Sequence, residues 1–171
     1  MLGLASLTAS AVPASNAMPF GLEIGVATCD AARTKLGRVD VLKIDETDVL
    51  LTAANPSSIY EGASKAIVRC MAGTVVGVEI QASKGGMGNA GSRDAYANLN
   101  RKYKLVAGGA MPSLGNGYAR FAAANSVIEL SSPHMSFDFT LSYYKKAFYD
   151  AILANKKEKE QKARESKAAA L

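Results

Sequence analysis

At 171 residues with 49% apolar content, the chain has the length of one domain and enough apolar material for a real core. Its net charge is +5, about half of it in the C-terminal run KKEKEQKARESK, so the rest of the chain is only mildly basic. There is no basic stripe interleaved with exposed aromatics, which excludes a nucleic-acid groove and favours an acidic protein partner.

The chain opens on MLGLASLTASAVPASNAMPF, which has no acidic or basic side chain. Residues 1–19 are too short and too weakly apolar to cross a bilayer. They read as a targeting remnant: an apolar stretch followed by the small-x-small site Ser15-Asn16-Ala17, without the usual basic start. Residues 20–154 form the one domain, and residues 155–171 form a charged arm. Short β-like runs follow in LEIGV, VDVLKI and DVLLTA, around an acidic turn at Asp45, Glu46 and Asp48.

From Asn55 to Gly73 a start signal and a stop signal bracket Ile59, Ala63, Ala66, Ile67, Cys70 and Met71, which predicts a helix. TVVGVEIQ (74–81) is the best strand candidate. It leads into KGGMGNAG, which contains a literal GxGxxG, and then into a helix capped by Ser92 with Tyr96, Leu99 and Tyr103 on one face. A second glycine-rich loop covers 107–117, and YARFAAANSVIEL then predicts another helix. After a break at Pro133, a long helix is predicted from about Thr140 to the C-terminus. Only its first half carries an apolar stripe, Leu141, Tyr144, Phe148, Ala151 and Ile152. The expected fold is therefore mainly α, with a few short strands, long Gly-rich loops and an extended C-terminal helix in an irregular, linker-like architecture.

Catalytic readings are thin. A dinucleotide fingerprint needs glycines at a strand–helix junction and an acidic residue about 20 positions on. No Asp or Glu lies between Asp94 and Glu129, and no βαβ alternation surrounds the motif. A small α/β nucleotide- or cofactor-binding enzyme using Gly86–Gly91 remains the alternative. His134, the single histidine, sits in a Ser/Pro loop with no nucleophile elbow in the chain; a surface role, a partner contact or a pigment-magnesium ligand fits it better than catalysis. Cys29 and Cys70 are far apart with no CxxC, so zinc is excluded, while a disulfide or two isolated thiols stay open. Tyr96, Tyr103, Tyr118 and Tyr144 are candidate partner contacts, because phenols near Arg or Lys suit amphipathic surfaces.

Two stretches, EGASKAIVRCMAG and SRDAYANLNRKYKLVAGGAMPSLGNGYARFAAANSVI, resemble the gamma-type and gamma-like linker subunits of red-lineage algal phycoerythrin and photosystem antennae. The resemblance covers roughly residues 55–150. It implies a non-catalytic linker, basic relative to acidic antenna or photosystem proteins, in a plastid and peripheral to the thylakoid membrane without spanning it, its lumenal side included. It also implies bilin or chlorophyll as pigment. The residues matching a thioether bilin site are Cys70 with Arg69, and Cys29 with Asp30 and Arg33. The chain is short for a phycoerythrin gamma subunit and has fewer cysteines than a carrier of several bilins. That departure favours a pigment-poor linker, which contacts chlorophyll through loop side chains.

Overall fold

The computed structural model describes residues 15–86 and 88–169, so most of the N-terminal segment 1–19, expected to be a targeting remnant, lies outside the described residues. Helix α1 (Cys29–Leu36) precedes strands β1 (Val39–Lys43), β2 (Asp48–Ala53), β3 (Ala63–Met71) and β4 (Thr74–Ser83). Helix α2 (Ala90–Lys102) precedes β5 (Lys104–Gly108), β6 (Gly117–Ala123), β7 (Ser126–Ser132) and β8 (Asp138–Lys145), and α3 (Lys146–Ala169) closes the chain. The strands form one antiparallel sheet in the order β1-β2-β3-β4-β8-β7-β6-β5. A helix followed by four strands therefore occurs twice, and the halves meet where β4 pairs with β8. Antiparallel pairing at that seam gives the topology an approximate two-fold axis through the sheet.

The expected mainly α fold is thus corrected to a sheet covered by two helices. Three of the differences have one cause. The 55–73 segment is a 3₁₀ turn and strand β3, YARFAAANSVIEL is the β6–β7 hairpin, and the long helix starts at Lys146 because 138–145 is β8. The inward-facing apolar rows include Ala66, Val68 and Cys70 on β3, Ala119, Phe121 and Ala123 on β6, and Phe139, Leu141 and Tyr143 on β8. That is a period of two. The opposite positions, such as Ile67, Ala122 and Tyr144, are also apolar and half-buried. Apolar residues on both faces match helical spacing as well as strand spacing, so periodicity could not arbitrate.

Turn chemistry settles β3–β4. Ala72 and Gly73 both have positive φ, +47° and +79°, as a two-residue hairpin requires. The strands read in VDVLKI, DVLLTA and TVVGVEIQ are present as β1, β2 and β4, whereas LEIGV forms none. The predicted helix after the glycine loop is α2, starting two residues before Ser92 with Asn89 at its cap.

The core lies between one sheet face and the two helices. Ala32 and Leu36 of α1 and Ala95 and Leu99 of α2 pack onto Val68, Val78, Ile80, Ile128, Leu130 and Phe121. Each buried aliphatic side chain there is worth about 1.5–3 kcal/mol of transfer free energy. The sheet has two ends. At one, the Ala72–Gly73 turn meets the start of α1, with Gly73 O accepting from Cys29 N at 3.0 Å. At the other, the loops 84–89, 109–116 and 133–137 gather.

Candidate docking surfaces

The glycine-rich loop is clipped into the loop end. Gly91 N donates to Lys84 O at 2.9 Å, and a Cβ at Gly91 would sit 2.6 Å from Ser83 O, so only glycine allows α2 to start this close to β4. Asn89 donates through its side chain to Pro112 O (2.9 Å) and Gly115 O (3.1 Å) and accepts from the Ser132 hydroxyl (2.9 Å). Lys84, 1% exposed, reaches across to donate to Pro133 O. These bonds join three loops and occupy the α2 N-terminal region with the chain's own groups.

That rigid base holds up an apolar knob. Leu114, Met135 and Phe137 stand 65%, 91% and 70% exposed, and their loops are tied by His134 N donating to Asn116 Oδ1 at 2.8 Å. Exposed apolar side chains grouped on neighbouring, hydrogen-bonded loops make a candidate contact surface. His134 belongs to this knob and lies at the opposite end of the sheet from both cysteines, about 30 Å away by the length of β4. Apart from His134, the residues of the knob were not singled out from the sequence. The available signal was large apolar side chains inside Gly/Pro/Ser segments.

The outer sheet face receives the first turns of α3. Tyr144 stacks on Tyr149 with ring centroids at 5.8 Å and meets Phe148 at 6.2 Å. Arg69 lies over the Phe148 ring at 5.0 Å and forms an ion pair with the buried Asp48. The Glu129 carboxylate accepts from the hydroxyls of Tyr118 (2.5 Å) and Tyr149 (2.7 Å), and Arg120 donates to the Tyr149 oxygen at 3.1 Å. Burial and the Glu129 carboxylate both push the Tyr118 phenol above its ordinary pKa. Burial does the same for Tyr149, with Glu129 adding to it.

Beyond Ile152, α3 leaves the body, and 153–166 are exposed. Its 24 residues span about 36 Å. Lys162–Glu158 (2.6 Å) and the Gln161–Glu165 hydrogen bond (2.8 Å) support it along its own length, each worth a few tenths of a kcal/mol. Between 156 and 167 it carries six Lys/Arg against three Glu.

The four candidate tyrosines separate. Tyr118 and Tyr144 share the outer face, whereas Tyr96 and Tyr103 pack against the core, Tyr96 on Phe121 at 5.7 Å. The candidate pigment residues also divide. Strand alternation turns Arg69 outward and Cys70 inward, so the expected pair does not face one site. Cys29, Asp30 and Arg33 of α1 do lie near Cys70. Burial pushes the Cys70 thiol up to about 12, and the neighbouring Cys29 thiol adds to the rise.

At pH 8 such a thiol is thiolate in only about one part in ten thousand, roughly a thousandfold less than an ordinary cysteine. Iodoacetamide should therefore modify the half-buried Cys29 and leave Cys70 unmodified until the chain is unfolded, as read by peptide mass spectrometry over time. Equal rates at the two positions would contradict this burial. Among the described residues no cluster of metal ligands occurs, and no described helix is long and apolar enough to cross a membrane. Comparisons with family models, curated proteins and solved structures find no match to this chain.

Proposed function

We propose that this chain is a non-catalytic linker that bridges two proteins. The observation that carries the reading is the separation of its two contact features. The apolar knob of Leu114, Met135 and Phe137 crowns one end of the sheet, and the basic arm of α3 leaves from the other, since β8 runs from Asp138 beside the loops to Lys145 at the start of α3. An apolar anchor supplies affinity on one partner, while an exposed basic helix selects an acidic surface on the second and speeds encounter. A sheet of this length with an arm projecting about 25 Å beyond Ile152 holds two such partners apart.

The resemblance to phycoerythrin gamma-type linkers supplies the partner class: antenna or photosystem subunits at the thylakoid surface of a plastid. A bilin thioether on Cys70 would require the core to open at a 1% exposed thiol, which favours the pigment-poor form of the linker. Met135→Ser/Phe137→Ser and an arm variant with Lys156, Lys157, Lys159 and Lys162 changed to Glu separate the two contacts. Each should weaken capture of one solubilised antenna or photosystem subunit by at least about tenfold and leave the other intact. Full retention of both subunits by both variants would refute bridging.

A further inference from the structure

A cavity of about 390 Å³ lies between the C-terminal half of α2, the core side of β8 and the segment Met18–Phe20. It rests on observations separate from the knob and the arm. Three phenols, Tyr60, Tyr103 and Tyr143, line it from three different parts of the chain, with Leu99 and Leu141 as apolar floor and Lys102 at its margin. Tyr143 is only 8% exposed and is one of the residues whose side chains border the space. Tyr60 and Tyr103 border the same space, so three phenols face one cavity.

Phenol hydroxyls bordering such a space can exchange water for a polar edge of a ligand. The walls are aromatic and aliphatic, which suits a flat ring system that can stack or meet the phenols edge-on. No acidic side chain is among the residues lining the space, and Lys102 forms no ion pair among the described residues. The volume falls within the range of small-molecule sites, which combine apolar walls with a few convergent polar groups.

We infer that this cavity binds a flat, ring-containing carboxylic acid, its ring between the phenols, a polar edge on the Tyr143 hydroxyl and its carboxylate on Lys102. The probe is 6-hydroxy-2-naphthoic acid, followed by its own fluorescence anisotropy on the full chain, with 2-naphthol as the uncharged comparator. The expected result is saturable one-site binding that favours the acid over 2-naphthol by about tenfold. Lys102→Met should abolish that preference while leaving 2-naphthol binding in place. Tyr143→Phe should weaken both compounds by about five- to tenfold. Ala95→Phe, which fills the space, should abolish binding of both. Lys102 is exposed, so its substitution tests the site even if the filled variant does not fold. Absence of saturation, or an acid preference that survives Lys102→Met, overturns the assignment.

Discussion

Replacing Lys84 by Ala is expected to destabilise the chain by about 2–4 kcal/mol, the largest loss from any single loop-end substitution. Lys84 continues the inward-facing row Val78, Ile80 and Ala82 of β4, and its side chain is among the largest that are fully buried. Its four methylenes therefore fill core volume under the start of α2, and its ammonium satisfies the Pro133 carbonyl. Alanine empties the volume and leaves that carbonyl without its donor. Lys84→Met separates the two effects, because it keeps most of the volume and removes the charge. If packing dominates, the Met variant loses less than about half of what the Ala variant loses, since removing a buried ammonium also removes its desolvation cost. Urea unfolding of the three chains measures both numbers. Equal losses for Ala and Met would mean that the hydrogen bond to Pro133 outweighs packing.

The loosened loops of Lys84→Ala should also weaken the partner bound through Met135 and Phe137, because the knob's loop is anchored by this residue. The partner on the α3 arm should be unaffected, as the arm leaves from the far end of the sheet. Stability and function are coupled at one end of the molecule only.

Much of the first half was legible in the sequence. VDVLKI, DVLLTA and TVVGVEIQ carry β-branched residues bounded by turn signals, and they are strands. The loop reading of Gly86–Gly91 fits the close approach at Gly91, where backbone proximity fixes the residue. The misreadings at β3, β6–β7 and β8 fall on strands that are apolar on both faces. In YARFAAANSVIEL the spacing Tyr118, Phe121, Ala122 and Asn125 fits a helix as readily as Ala119, Phe121 and Ala123 fit a strand.

Pairing decided it. Seven β6–β7 residue pairs, from Ala123 opposite Ser126 to Gly117 opposite Ser132, close a hairpin around the positive-φ Ala124, a turn that the apolar spacing does not reveal. The same limit applies to the sites. Arg69 and Cys70 are adjacent in sequence, and alternation along β3 sends them to opposite faces. The convergence of Tyr60, Tyr103 and Tyr143 depends on three elements meeting in space.

Alkaline pH should unfold this chain cooperatively, with the loss of stability starting near pH 9 and steepening above pH 10. Five of the seven tyrosines, Tyr60, Tyr118, Tyr143, Tyr144 and Tyr149, are held above the ordinary 10.0 in the folded chain, with burial the largest cause in each. Cys70 is raised from 9.0 to about 12 by the same cause. A raised value means that the fold favours the protonated group. Its contribution is complete below the unfolded pKa and is lost as pH rises toward the folded one.

Between those two values each such group removes about 1.4 kcal/mol of stability per pH unit. Cys70 acts alone from pH 9, and the well-buried phenols join it above pH 10. Tyr118 lies on the more exposed outer face and contributes less after solvent screening. With Tyr143, Tyr144 and Cys70 acting together, the slope approaches roughly 4 kcal/mol per pH unit, against a total stability of about 5–15 kcal/mol. Urea midpoints at pH 8, 9, 10 and 11, read alongside phenolate absorbance, give the slope and show whether ionisation and unfolding coincide. Tyr143→Phe removes one titrating group and should flatten the slope above pH 10 by about 1.4 kcal/mol per unit. A slope unchanged by that substitution would mean that the Tyr143 phenol is not held neutral by its burial against β8 and the cavity.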